Sequence, residues 1–288
     1  ELPSNPEFKP DKITTEVIQM IEEKYSHHPG KIIASNLPTS NTDANQLWEW
    51  AKSSVMHWFG PYEDAMTQEH KTLFHTTVSS LLNLNRLMPK TLLEDTLKLD
   101  IPLNSKEGFV RQIIGWREFV RHVHELTDGF EIEKEDIPAR NGAGWEGEWS
   151  KSRITPNVLE NNVGLPPTYW GEKSGMLCLD TAVSDVVETG YAHHIPRLMV
   201  LANIGNLLGI NPRELTDWFW AMFTDAYDWV VEPNVLAMGT YAVGDVMTTK
   251  PYVRGTPYIK KMGDYCGDCS LHFKKSCPIS DMYWNFLE

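Results

Sequence analysis

At 288 residues with 41% hydrophobic side chains, the chain can bury a large core as one big domain or two smaller ones. No apolar run approaches the roughly 20 residues that a membrane helix needs. A formal net charge of −13 argues against indiscriminate nucleic-acid binding over the whole surface but leaves room for a local basic cleft. In chain order, residues 1–45 read as a lead segment: a Pro-containing extended start, a short helix from Ile13 to Tyr25 and a polar stretch. The start at Glu1, without methionine, suggests either a trimmed chain or the tail of a longer polypeptide. Residues 46–288 read as one helical domain. Asn104-Ser105-Lys106-Glu107 spells a capping box that opens a helix running to about Asp128. Its apolar positions (Phe109, Ile113, Ile114, Trp116, Val120, Val123) cover more than one face and predict burial. Arg111, Arg117 and Arg121 would then need anionic partners. Residues 139–167, rich in Gly, Asn, Pro and Trp, read as a long loop. Helix signals return from Cys178 to Leu208, with Gly209 as the stop. Asn211-Pro212-Arg213-Glu214 opens the next helix with an N-cap, a proline at the first position and a glutamate at the third. That helix carries Trp218, Phe219, Trp220 and Phe223. With no βαβ alternation, no G-x-G-x-x-G and no internal repeat, the predicted class is all-α.

Eleven tryptophans, ten tyrosines and ten phenylalanines are a heavy aromatic load, which suits core packing first and electron transfer or base stacking second. The four cysteines are more specific. Three fall near the end as Cys266-Gly267-Asp268-Cys269, seven residues and Cys277-Pro278, while Cys178 lies far upstream. A C-x2-C pair sets two thiolates on one tight turn, and a cysteine–proline ending is common at iron–sulfur ligands. Disulfides fit poorly at so low a cysteine density. Spacing alone leaves a structural zinc and a [4Fe–4S] cluster both open.

Four further stretches carry chemistry. Phe74-His75-Thr76-Thr77-Val78-Ser79-Ser80 clusters hydroxyls at a helix start, as either an anion site or an ordinary N-cap. Ile113-Ile114-Gly115-Trp116-Arg117-Glu118-Phe119 suits a structural ion pair, or an arginine aimed at a phosphate or cofactor. In Tyr191-Ala192-His193-His194-Ile195-Pro196-Arg197 the two histidines cannot share one helix face, so at most one is expected at a site. From Asp228 through Pro233-Asn234 to Lys261, the side chains of Lys250, Tyr252, Arg254, Tyr258, Lys260 and Lys261 interleave basic and aromatic character. That pattern suits a phosphate-lined surface with stacking platforms, or a charged loop with incidental tyrosines.

Taken together, the segments FVRQIIGWREFVRHV, ETGYAHHIPRLMVLANIGNLLGINP, DAYDWVVEPNVLAMGTYAVGD and TTKPYVRGTPYIKKMGDYCGDC resemble the C-terminal flavin domain of the photolyase/cryptochrome superfamily. Within it they look like the iron–sulfur bacterial cryptochromes and (6-4) photolyases, over nearly the whole chain and in the same order. The resemblance implies an all-α domain that binds FAD and a [4Fe–4S] cluster. It places Thr76, Thr77 and Ser79 at the flavin phosphates, and Gln112, Trp116 and Arg117 along the cofactor and lesion pocket. It sets Arg197 and Asp228 as an ion pair beside the isoalloxazine and Asn234 facing flavin N5. His193 and His194 fall on the lesion side, with His194 donating or relaying a proton, and Tyr252 falls near the lesion. Trp170, Trp218 and Tyr258 match electron-transfer aromatics, with Phe219 where relatives can carry a tyrosine. Lys250, Arg254, Lys260 and Lys261 would hold DNA phosphates. Cys178, Cys266, Cys269 and Cys277 match the cluster ligands, in a segment spanning residues 263–288.

Two departures stand out. The α/β antenna domain that precedes the flavin domain in full-length members has no counterpart in these residues. Ser80 stands where a proline is expected, and Asn85-Arg86 where a small glycine-bearing turn is expected. The implied activity is light-dependent repair of (6-4) or related pyrimidine dimers in UV-damaged DNA, single- or double-stranded, by a monomeric cytoplasmic protein of prokaryotic type. The alternatives are a cryptochrome-like blue-light photoreceptor and an iron–sulfur nucleic-acid-binding module that has lost flavin chemistry.

Overall fold

The computed structural model describes residues 2–130 and 156–288. Among them regular structure is helical throughout, with only the isolated bridges Met66–Gly263 and Val163–Ile210, so the all-α expectation holds. The predicted loop from 139 lies outside the described residues as far as 155.

Helix α1 (Lys12–Tyr25) is capped by Asp11, whose carboxylate accepts the Thr14 N–H at 2.7 Å, and it buries no residue. Helix α2 (Asn41–Trp50) opens on a reciprocal capping box between Ser40 and Asp43. Short α3 (Phe59–Tyr62) and α4 (Ser79–Asn83) and longer α5 (Pro89–Lys98) follow. Leu47, Trp48, Phe59, Leu81, Leu92 and Phe109 interlock to form one core, which also takes in Phe8 from the lead segment.

The capping box read at Asn104–Glu107 does not form. Helix α6 (Leu103–Val110) begins two residues earlier, with Pro102 rather than Asn104 at the cap. Ser105 is spent instead on the neighbouring turn, donating to the His57 carbonyl and accepting from Gly60 N–H. After a π-helical turn (Arg111–Trp116) the helix continues as α7 (Arg117–Thr127) and ends at Asp128 in the left-handed conformation. Nor is this helix buried on several faces. Ile114 and Phe119 are exposed, and Arg111 and Arg121 pair with Glu107, Glu118 and Glu125 on the surface. Only Arg117 is drawn inward, stacked over Trp229 at 4.6 Å.

The predicted Cys178–Leu208 helix is broken. Helix α8 (Leu177–Thr189) stops at Gly190, which takes φ 66°, and residues 191–193 are non-helical. A π-helical turn (Pro196–Ala202) then leads into α9 (Asn203–Leu207). Gly209 ends it at φ 68°, as its position predicts. Helix α10 (Pro212–Met222) has the expected cap, with Asn211 accepting from the N–H groups of Arg213 and Glu214. Helix α11 (Asp228–Val231) passes into a further π-helical turn (Glu232–Gly239). There Glu232, fully buried, receives both terminal nitrogens of Arg213 at 2.8 Å. Helices α12 (Thr256–Met262), α13 (Tyr265–Asp268) and α14 (Pro278–Leu287) close the chain against α8 and α9 around Trp218, Ile204, Leu201 and Ile259.

Each π-helical turn accommodates one more residue than an α-turn and re-aims the side chains on it, a feature frequent at functional sites. The three at 111–116, 196–202 and 232–239 all contribute walls to one cavity.

Candidate functional site

That cavity measures about 700 Å³. Phe59, Trp116, Phe219, Phe223, Trp229 and Met238 give it apolar walls, and polar groups enter at separated points. Thr76, Thr77 and Ser79 line one side on the turn before α4. Thr77 holds φ 54°, which is strained for a β-branched residue. Ser79 donates to Asp225 at 2.6 Å, whereas the hydroxyls of Thr76 and Thr77 make no hydrogen bond among the described residues. A few residues on, Asn85 takes φ 55°, so an asparagine there adopts the left-handed turn for which a glycine was expected.

The ion pair at the cavity is Arg197 with Asp225, not Asp228. Both terminal guanidinium nitrogens lie 2.9 Å from the two Asp225 oxygens. The reason is chain geometry: Asp225 sits in the turn after α10, facing Arg197, whereas Asp228 opens α11 and is absent from the cavity wall. Burial opposes ionisation of Asp225, but Arg197 and the Ser79 hydroxyl outweigh it and hold its carboxyl below the usual range. Arg197 also donates to the Ala192 carbonyl and lies over the Phe223 ring at 4.2 Å. Gln112 donates to Glu63 at 2.8 Å, and Arg117 to Asn83 at 3.3 Å. Asn234 commits its NH2 to the Val230 carbonyl, leaving its amide oxygen for the cavity.

Both His193 and His194 line the cavity, against the expectation that one would turn away. The helix is unwound before His194, so His193 lies on non-helical backbone and helical spacing does not apply to the pair. His193 stacks on His75, with ring centroids 4.0 Å apart and planes within 14°. His194 is half-exposed, its Nε2 3.5 Å from Asp64. Burial pulls His75 down to about 3, the charge of His194 adding to it. It pulls His193 well below 6.5, with His75 and His194 adding. As pH falls below 6.5 the unfolded chain takes up these two protons before the folded chain does, so stability drops on acidification. His75 is expected to cost about 1.4 kcal/mol per pH unit between 6.5 and 4.5, with His193 adding in the same direction. A urea midpoint that does not move over that range contradicts this.

No protein-family profile matches the chain. It is 33% identical over 294 residues to a (6-4) photolyase of Agrobacterium fabrum, a match covering 99% of this chain and 54% of that protein. An uncharacterized protein of Acanthamoeba polyphaga mimivirus is 37% identical over 89 residues, 31% of this chain and 62% of the other. A crystal structure of a bacterial class III photolyase from Agrobacterium tumefaciens superposes with TM-score 0.60 and 16% identity, over 92% of this chain and 48% of that one. A Synechocystis cryptochrome gives 0.55 and 14%, over 86% and 49%. Over nearly all of its own length the chain is similar in sequence to a member of the photolyase/cryptochrome superfamily. Its fold is the helical domain of those proteins, and it spans about half the length of the photolyase relative.

In this helical domain Thr76, Thr77, Ser79, Gln112, Trp116, Arg117, His193, His194, Arg197, Asn234 and Tyr252 share this cavity. Trp218 is buried one ring away, 5.2 Å from Phe219, which lines the wall. Trp170 is half-exposed, and Tyr258 lies beside Asp64 and Arg254 rather than in the wall. The four cysteines carry free thiols and come together from 178 and 266–277. Burial, with the charges of Cys277, Cys266 and Cys269, pushes the Cys178 thiol up to about 12. Lys250, Lys260 and Lys261 are exposed; Lys260 lies over Phe273 at 3.6 Å. The backbone of Arg254 is clasped at both N–H and C=O by the buried side chain of Asn203. Sequence reading passed over Asp64 and Asp225 and left His75 inside an anion motif, since none of the three stands in a stretch whose spacing marks it.

Proposed function

We propose that the chain is the flavin-binding helical portion of a light-driven DNA repair protein acting on (6-4) or related pyrimidine dimers. The observation that carries this reading is one aromatic-walled cavity holding a hydroxyl turn, the Arg197–Asp225 pair, Asn234 and two histidines. FAD fits this set of groups. The free hydroxyls of Thr76 and Thr77, with Arg117 near, suit its phosphates, and the stacked aromatics suit its ring system. Bound and reduced there, FAD supplies light-driven electron transfer.

The protein's own part is positional and electrostatic. Arg197 and Asp225 set a fixed dipole at the wall, and the Asn234 amide oxygen serves as a hydrogen-bond acceptor. Phe59, Trp116 and Trp229 exclude water. Tyr252 and the histidines face a base flipped out of the duplex, which costs least for a damaged, poorly stacked base. His194, half-open and paired with Asp64, is placed to hold or pass a proton. Lys250, Arg254, Lys260 and Lys261 offset the acidic remainder and contact phosphates. Trp218 and Phe219 extend an aromatic path away from the cavity, with Trp170 and Tyr258 as outlying members.

Cys178, Cys266, Cys269 and Cys277 fit a [4Fe–4S] cluster, because they are four unpaired thiols set close together, and the burial and neighbouring thiol charges that raise Cys178 and Cys266 would be relieved by a shared cationic centre. Held by these residues, it would tie α8 to the C-terminal segment that carries Cys266, Cys269 and Cys277. The test is a blue-light assay with the reduced protein and an oligonucleotide carrying one (6-4) lesion, alongside iron and sulfide analysis. Light-dependent loss of the lesion is expected. A flavin-loaded protein with no such loss overturns the repair reading.

A further inference from the structure

His75 sits on the loop before α4, and both its ring nitrogens face backbone carbonyls: Nδ1 that of Thr72 at 3.0 Å, Nε2 that of Glu63 at 3.1 Å. The ring therefore cannot swing. It presents its flat face to His193 and its edge to His194, at 5.4 Å and 63°. His193 is the opposite case: its Nδ1 is buried without a partner, and no hydrogen bond orients its ring among the described residues. The stack on His75 is what sets its plane.

Three imidazoles with nitrogens within 4.8 Å of one another could in principle hold a metal ion. The stack argues against it, because the in-plane lone pairs of two parallel rings run along parallel lines and no single ion lies on both. A proton is the cation this cluster suits. The groups facing it are Asp64 beside His194, Arg197 bearing on His193, and Tyr258 beside Asp64; the Glu63 carboxylate is turned to Gln112. Among the described residues the carboxylate beside the cluster, Asp64, is on the His194 side, and the cation Arg197, itself paired with Asp225, is on the His193 side.

We propose that His75 is a positioning residue: it fixes the ring of His193 by stacking and so confines the single proton of a three-histidine cluster to His194, beside Asp64. The placement of the proton rests on this geometry, and its use in repair rests on the function proposed above. Two carbonyls around His75 favour a charged ring and burial opposes it. Burial prevails, which leaves His75 neutral, donating to one carbonyl at a time.

The test is histidine-ring nitrogen NMR on the full chain, titrated from pH 8 to 5, for wild type, His75→Phe and His75→Ala. In wild type His193 is expected to stay neutral in one tautomer throughout this range. His75→Phe keeps the stack, so the His193 tautomer persists and repair stays within about threefold of wild type. His75→Ala removes it, so the His193 signals average between tautomers and repair falls at least tenfold at equal flavin content. Uptake of a proton by His193 along with His194, or a single fixed His193 tautomer in a folded His75→Ala protein, overturns the proposal. Loss of that tautomer in His75→Phe does so too. Because the NMR readout needs no light or lesion, absence of repair activity would count against the functional reading and not against the stack.

Discussion

Asp225→Ala is expected to destabilise the domain by about 3–5 kcal/mol and to empty the cavity of flavin. Breaking a buried ion pair by removing one partner leaves the other charge uncompensated, and that is the costly direction. Here the carboxylate is buried and accepts three hydrogen bonds, two from Arg197 and one from Ser79, while the main-chain oxygen accepts from Asn83. One side chain therefore ties α4, the π-helical turn at 196–202 and the turn after α10 together. Its loss frees Arg197 to point into the cavity where a cofactor ring would lie. Urea unfolding should show the midpoint drop with an unchanged slope, and the purified variant should lack the flavin band. If Asp225→Ala stays within 1 kcal/mol of wild type while Asp228→Ala collapses, the pairing belongs to Asp228 after all.

That contrast also shows how far the sequence could be read. An arginine in YAHHIPR and an aspartate in DAYD announce a pair, but two aspartates three residues apart are indistinguishable by pattern. The choice is made by the turn after α10, which directs Asp225 at Arg197 before α11 begins. The helix carrying Arg197 was legible from its periodicity and from Gly209. Its break at Gly190 was not, because a glycine inside a helical pattern reads as a tolerated residue as easily as a stop. The π-helical turns left no mark at all: an inserted residue shifts a 3.6-residue period by an amount that short apolar runs cannot resolve. Since three of those turns wall the cavity, the elements were more readable than the site they form. His75 was missed for a related reason: its role comes from a stack across 118 positions of sequence, which no local motif encodes.

His194→Ala is expected to lower light-driven repair by about 10² to 10⁴, the range for removing a positioned proton donor, while leaving flavin content and urea midpoint near wild type. The site sets these readouts apart. His194 is half-exposed and contacts Asp64 across 3.5 Å, so deleting it opens no core cavity and strands only a carboxylate that water can reach. His193→Ala differs: it removes a buried ring stacked on His75, so both stability and activity should fall. Asp64→Asn separates proton placement from proton donation. With the carboxylate gone, His194 keeps its place but loses the anion 3.5 Å from its Nε2, so the pH dependence of repair should change with its maximum largely retained. A His194→Ala protein that repairs the lesion at the wild-type rate would remove this residue from the chemistry. The proton would then have to come from Tyr252 or from water held in the cavity.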